Sequence, residues 1–297
     1  MTAAGTRGRG ARRRDTVAGY VLLAPSLVGV GGFLLLPVVV VLGISLFRWD
    51  LIAPARWTGL DNYASILSDP AFGRTLAVTA VFVLLVVPLQ TALGLAAALL
   101  LDQRLPGSTW FRAILVLPWI SAPQALGVVW RWLLDPSDGA VDALLGRRVE
   151  WLTSPTLALP SVAAVTIWAN AGFVALFFLA GLAGIPPQFT EAARIDGAGP
   201  WQGLWRITLP LLRPTTFFIL TTGVLSSFQV FDTVYAMTRG GPAGRTEVVA
   251  YAIYREAFVD FRMGRAAAMS VVLFLLLITV TIAQQSYFRR RTTYEVG

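Results

Sequence analysis

Apolar runs separated by short polar segments organise this chain from one end to the other. Six runs are long enough to cross a bilayer: 17–47, 76–101, 113–134, 156–182, 215–237 and 263–288. A span needs about 20 mostly apolar residues at a rise of 1.5 Å each. None of the six alternates strictly between apolar and polar residues, as barrel strands would. Each run must then satisfy its own backbone groups as a helix. The pattern predicts an all-α polytopic membrane protein with six transmembrane helices. The first run covers 31 residues, against about 7–15 for the apolar core of a signal peptide. It reads as a retained span, with Pro25 and Pro37 as expected bends. The transmembrane domain is placed at 17–288, between an N-terminal tail (1–16) and a C-terminal tail (289–297).

One polar interruption, within 183–214, has internal order. It contains EAARIDGAGPWQGLWRITLP at 191–210. Thr190 is a candidate N-cap for a short helix over 191–196, and Gly197 suits a left-handed C-terminal position. Pro200 restarts a helix from its favoured first position. Trp201, Leu204, Trp205 and Thr208 then fall on one mostly apolar face. This second helix is expected to stop before Pro210, because the residue preceding a proline is biased out of the α region. Two short helices joined by a tight elbow are the expected result.

Composition supports the membrane reading. The chain is 56% hydrophobic and 13% charged, with a mean hydropathy of +0.68; a soluble domain carries about 25% charged residues. Charge then orients the spans. There is no lysine, so all 24 basic residues are arginine. With both termini, 102–112 and 183–214 on one side, that side holds 13 arginines and the other 11. The ends decide more: Arg7, Arg9, Arg12, Arg13 and Arg14 precede the first span, and Arg289, Arg290 and Arg291 follow the last. The positive-inside rule places both termini and 183–214 in the cytoplasm. Beside membrane spans such basic tracts set topology and do not imply nucleic acid.

Missing residue types exclude several chemistries. Without Cys there is no disulfide framework and no thiolate nucleophile. Without His the best metal ligand and the common proton shuttle are absent. Without Lys there can be no G-x-x-x-x-G-K-[ST] phosphate loop. No catalytic residue, metal site or cofactor is assigned to this chain, and any ATP it depends on is expected on another.

The 191–210 segment, followed by Pro214, resembles the EAA loop of binding-protein-dependent ABC importer permeases. GLDNYASILSDPAF (59–72), FRAILVLPW (111–119), LFFLAGLAGIP (176–186) and FQVFDTVYAMTRGGP (228–242) resemble the carbohydrate-uptake branch of that family. They are similar to the larger maltose permease and to the first glycerol-phosphate or lactose permeases, and some actinobacterial amino-sugar permeases look close. The resemblance covers about residues 17–290. It implies a bacterial cytoplasmic-membrane protein with the ABC importer permease fold. It further implies a second homologous permease, an ATPase dimer holding ATP and Mg, an extracytoplasmic solute-binding protein or lipoprotein, and a sugar substrate moved by alternating access. Carried over by motif, Glu191, Ala192, Ala193, Asp196, Gly197 and Trp201 would form the coupling helix that docks on the ATPase.

Substrate contacts are expected where polar side chains interrupt the apolar spans, since such groups are costly in lipid and face a bundle interior or cavity. The fourth span offers Thr166, Trp168 and Asn170; the fifth offers Ser226, Ser227, Gln229 and Asp232. Resemblance to the maltose permease places Thr166, Asn170 and Ser227 at sugar-contacting positions. That relative carries several Asn on the later span, where this chain has Ser227, Gln229 and Val230, so a different sugar is expected. Trp168 and Phe173 are candidates for stacking on a sugar, while Trp130 and Trp132 read as interfacial belt residues. GGP at 240–242 predicts an external turn, with Arg245 and Glu247 near the docked binding protein. The alternative is a proton-coupled secondary carrier using Asp232. Such carriers usually show repeated halves; none is visible here, and that reading leaves the EAA segment unexplained.

Overall fold

Proline decides where many of the helices begin or bend. In the computed structural model, which describes residues 9–103 and 106–289, Pro70, Pro123, Pro187 and Pro200 each open a helix. The missing N–H costs nothing at that position. Helix α1 (Arg9–Val30) passes through Pro25, widens into a π turn at Gly31–Leu35 and continues as α2 (Leu36–Ile44). The π turn lies just ahead of Pro37, whose ring would clash with the carbonyl four residues back in a regular helix. The first span ends at Ile44, short of the expected 47, and β1 (Phe47–Arg48) pairs antiparallel with β2 (Arg56–Trp57). Helix already begins at Arg9, so half of the expected N-terminal tail is helical. Residues 1–8 and 290–297 lie outside the described residues.

A short α3 (Asp61–Leu67) leads to α4 (Pro70–Asp102), which starts six residues before the apolar run because Asp69 caps it. The Asp69 carboxylate accepts the Ala71 N–H at 2.8 Å. The third run, expected as one span, is broken. Helices α5 (Ser108–Ile120) and α6 (Pro123–Leu133) meet at 97°. Ser121 and Ala122 between them are extended, as a following Pro123 favours.

Beyond α7 (Ala140–Leu145) and the long α8 (Ala158–Ala183) comes the polar interruption. It holds α9 (Pro187–Ile195), α10 (Pro200–Gly203), a π turn at Leu204–Thr208 and α11 (Leu209–Leu211). The fifth run is broken as well. Helix α12 (Arg213–Phe228) is bent 68° from the segment before it and ends nine residues early; α13 (Asp232–Met237) follows after a turn. A short α14 (Val249–Tyr254), prolonged by a π turn at Arg255–Val259, precedes α15 (Met263–Arg289). Among the described residues four helices are long and apolar enough to cross a membrane, and the count reaches six when each bent pair is taken as one span.

The core lies between α4 and α8, with α5 packed on α8, α12 on α4, and α6 on α13. Phe82, Val86, Val162, Ala163, Val234 and Val248 are fully buried there. Gly172 lets α5 approach α8, since a Cβ would overlap the Leu115 carbonyl. Small residues at helix contacts are the usual device where lipid gives no hydrophobic driving force. Thr79 Oγ1 on α4 accepts the Val249 N–H at 2.9 Å and ties α14 to the core. At the same end Arg265 pairs with Asp69 and with Glu256 at 3.4 Å, and Arg262 pairs with Glu256 at 3.1 Å. Both Glu256 and Arg265 thereby escape the penalty of an unpaired charge away from water.

Candidate functional site

The polar residues of α8 and α12 come together around a cavity of about 280 Å³. Thr166, Asn170, Ser226, Ser227, Gln229 and Asp232 all line it. The break after Phe228 makes this possible. On one continuous helix Gln229 and Asp232 would have been carried onward; instead the chain turns at 229–231 and folds both back to the cavity rim. Pro123, at the start of α6, closes another side. The two unexpected helix breaks thus belong to the cavity wall. A second hollow of about 140 Å³ adjoins it, sharing Thr166, Asn170 and Thr233.

The wall mixes neutral polar and apolar side chains; among the described residues Asp232 is its one charged member and no arginine lines it. Several donors are already committed to the helix backbone. Thr166 Oγ1 donates to the Val162 carbonyl at 2.9 Å, Asn170 Nδ2 to Thr166 at 2.8 Å, and Thr222 Oγ1 to Phe218 at 2.8 Å. Such back-bonding satisfies the hydroxyl proton and leaves oxygen lone pairs for a ligand. Ser227 is 4% exposed and its hydroxyl has no partner among the described residues. Phe173 also lines the cavity and stacks on Trp119 at 4.6 Å. Trp168 lies outside the lining and packs edge-to-face on Trp130 at 5.3 Å. Trp130 is half-buried and packs against the core, whereas Trp132 is exposed.

Gln90 of α4 and Thr222 of α12 line the cavity without having been singled out in the sequence. Gln90 is the one amide in the 76–101 run, which was the available signal. Among the described residues no group of three or more metal-ligating side chains occurs.

The second feature is the elbow. Helix α9 starts at Pro187, so Thr190 is not its N-cap; its hydroxyl donates back to the Pro187 carbonyl at 2.8 Å. Gly197 adopts φ +77°, the expected left-handed position. The N–H groups of Gly197 and Ala198 bond to Arg194 and Ala193 at 3.1 and 2.9 Å and close the helix end. The second helix does not stop before Pro210. A π turn, with the Leu209 N–H reaching the Leu204 carbonyl, accommodates that proline, and the break falls at Leu212. Glu191, Ala192, Asp196, Gly197 and Trp201 are exposed, whereas Ala193 is half-buried. Ile195 is 87% and Trp201 69% exposed, an unusual display of large apolar groups on so polar a segment.

A family model described as "Binding-protein-dependent transport system inner membrane component" matches residues 72–294. The chain belongs to this family. The permease is 34% identical over 280 residues to the sn-glycerol-3-phosphate transport system permease protein UgpA of Agrobacterium fabrum, covering 93% of this chain and 96% of that one. It is 33% identical over 279 residues to the probable ABC transporter permease protein YesP of Bacillus subtilis, covering 91% and 90%. Its fold is similar to that of a bacterial ABC transporter involved in the import of the acidic polysaccharide alginate. There the TM-score is 0.82 at 24% identity, over 95% of this chain and 98% of that one. The permease is thus a multi-pass inner-membrane component with the ABC importer permease fold, and the carrier reading of Asp232 has no support. At the GGP turn Arg245 is exposed, but Glu247 turns inward to Arg255 at 2.8 Å and is not free for a docked protein.

Proposed function

We propose that this permease forms half of the pathway of an ATP-driven importer for a neutral sugar or related polyol. The observation that carries the reading is the cavity between α8 and α12, the two helices that flank the exposed elbow, where neutral polar groups stand among apolar ones and Asp232 is the one charge among the described residues. Hydroxyl-rich ligands need neutral donors and acceptors, and a desolvated site rejects analogues that leave its polar groups unpaired. At about 280 Å³ the cavity falls just below the roughly 300–1,000 Å³ usual for small-molecule sites, as suits one wall of a site completed by a second permease. The related sn-glycerol-3-phosphate permeases are named for an anion, and nothing cationic in this lining would hold one.

The elbow would be the coupling element. Glu191, Ala192, Ala193, Asp196, Gly197 and Trp201 would seat in a cleft of an ATPase dimer that holds ATP and Mg. Ile195 and Trp201 support this, because a partner would bury apolar surface that water does not favour. Both termini and 183–214 would lie in the cytoplasm, and a solute-binding protein would deliver substrate from outside.

The test is ATP-driven uptake into proteoliposomes holding the complete transporter, with maltose, N-acetylglucosamine, glycerol and sn-glycerol 3-phosphate as labelled probes. Uptake of a neutral probe that requires ATP and the binding protein is expected. Uptake of sn-glycerol 3-phosphate alone would overturn the neutral-substrate reading.

A further inference from the structure

We infer that Gln90 of α4 contacts the transported molecule directly, its side-chain amide engaging hydroxyl groups of a neutral saccharide or polyol. The inference rests on the transport reading of the cavity given above. Gln90 is 4% exposed. Between residues 83 and 98 the other buried side chains of α4 are apolar or small, namely Val83, Val86, Val87, Gly94 and Ala98; Thr75 and Thr79 lie further along the same face and are hydrogen-bonded. Nothing about packing asks for an amide there. Neither amide atom of Gln90 has a hydrogen-bond partner among the described residues, and neither is sealed off from open space. The side chain lines the 280 Å³ cavity, so its donor and acceptor capacity is directed at whatever fills that space.

The amide reaches across to the opposite helix. A Cβ on Gly223 of α12 would stand 2.7 Å from Gln90 Nε2, so the amide lies against bare backbone there, and a larger residue at 223 would push aside the mobile end of the Gln90 side chain. Beyond it lie Ser227, also unpartnered, and Asn170. Three helices then present neutral groups to one volume. An amide both donates and accepts, as does a sugar hydroxyl, whereas a phosphate or carboxylate could use only its N–H groups. Gln90 would therefore favour hydroxyl ligands over anions.

Two measurements on the assembled transporter test this. Gln90→Cys gives the chain its only thiol, since it has no cysteine. Modification by the impermeant reagent MTSET is expected at a rate within about tenfold of that at Ser227→Cys. Absence of reaction at 90 with ready reaction at 227 would overturn the inference. In the second, proteoliposomes are given the neutral probes above. Gln90→Leu is expected to lower uptake per ATP hydrolysed about tenfold, and Gln90→Asn to recover part of the loss. Parallel loss of uptake and hydrolysis in both variants would mark a merely structural amide and overturn it. A wild-type ratio in Gln90→Leu, with Asn170→Leu and Ser227→Leu impaired, would also overturn it while leaving the transport reading intact. A wild-type ratio at all three positions would overturn the cavity as pathway.

Discussion

Gly197 allows backbone geometry to be separated from contact with a partner. Its φ of +77° is left-handed, which costs most side-chain-bearing residues about 1–2 kcal/mol while asparagine visits it readily. Nothing lies within 4 Å of a Cβ built at this position. In the chain by itself Gly197→Asn should then be nearly silent, and Gly197→Ala should show only the backbone cost. If the elbow seats in an ATPase cleft, asparagine adds a side chain where the partner packs closely. Overpacking of a well-packed contact costs typically 1–3 kcal/mol, or about 5- to 150-fold in the docking equilibrium. The assay is co-purification of the ATPase together with stimulated hydrolysis and uptake. Gly197→Asn and Gly197→Asp are expected to insert normally and to lose coupling, with asparagine at least as harmful as alanine. Wild-type uptake and wild-type stimulation in both the Asn and Asp variants would refute the docking argument.

Three further outcomes are expected. Glu191→Ala should weaken coupling by a few kcal/mol if its carboxylate meets a buried basic partner; an unchanged stimulation of ATP hydrolysis would count against that contact. Single cysteines at Ala3 and Ala198 should resist an impermeant thiol reagent in intact cells, and external labelling of either would reject the cytoplasmic placement. Asp69→Ala should remove the α4 cap and its pairing with Arg265, costing about 1 kcal/mol. The Ala71 N–H, chiefly, holds the Asp69 carboxyl below its ordinary range; burial opposes this, and Arg265 and then Arg262 lower it further. Its stabilisation is therefore present above the unfolded carboxylate range and lost as pH falls through the lowered value. The Tm gap between wild type and variant in detergent should close in acid, and a constant gap would show that the carboxylate is not its source.

Hydropathy made the fold class legible because lipid selects for length and apolar content, which a run of residues displays openly. It did not show the breaks at 121–122 and 229–231. A window averaged over about 20 residues stays apolar whether the chain runs straight or turns through 97°. Pro123 was a visible cause for the first break; no proline marks the second, where only Ser226, Ser227 and Gln229 hint at something other than a plain span. The six candidate contacts were legible because each polar group in lipid is an exception needing a reason. Gln90 escaped because it is a lone amide, and its meaning depends on the cavity that brings it beside Asn170 and Ser227, distant in the chain. The Pro210 expectation failed for a related reason: a π turn supplies what a regular helix lacks before proline.

The two proposed sites are joined by helices of unlike stiffness. From Asn170 to the end of α8 at Ala183 the helix is uninterrupted, roughly 20 Å at 1.5 Å per residue, and it leads to α9 across the short 184–186 link. Any displacement of α9 would reach Thr166 and Asn170 through one regular rod. On the other side α12 is separated from the elbow by the bend at Leu212 and a π turn. Leu212 is nonetheless buried, clustered with Ala98 and Phe178. A bend packed in this way cannot flex freely, because the interior around it is close-packed and resists volume change. Movement of the elbow would then tilt α8 while the packed bend at Leu212 holds α12 against α4 and α8, separating Asn170 from Ser227 across the cavity. That unequal response of the two helices is what would release a ligand held between them.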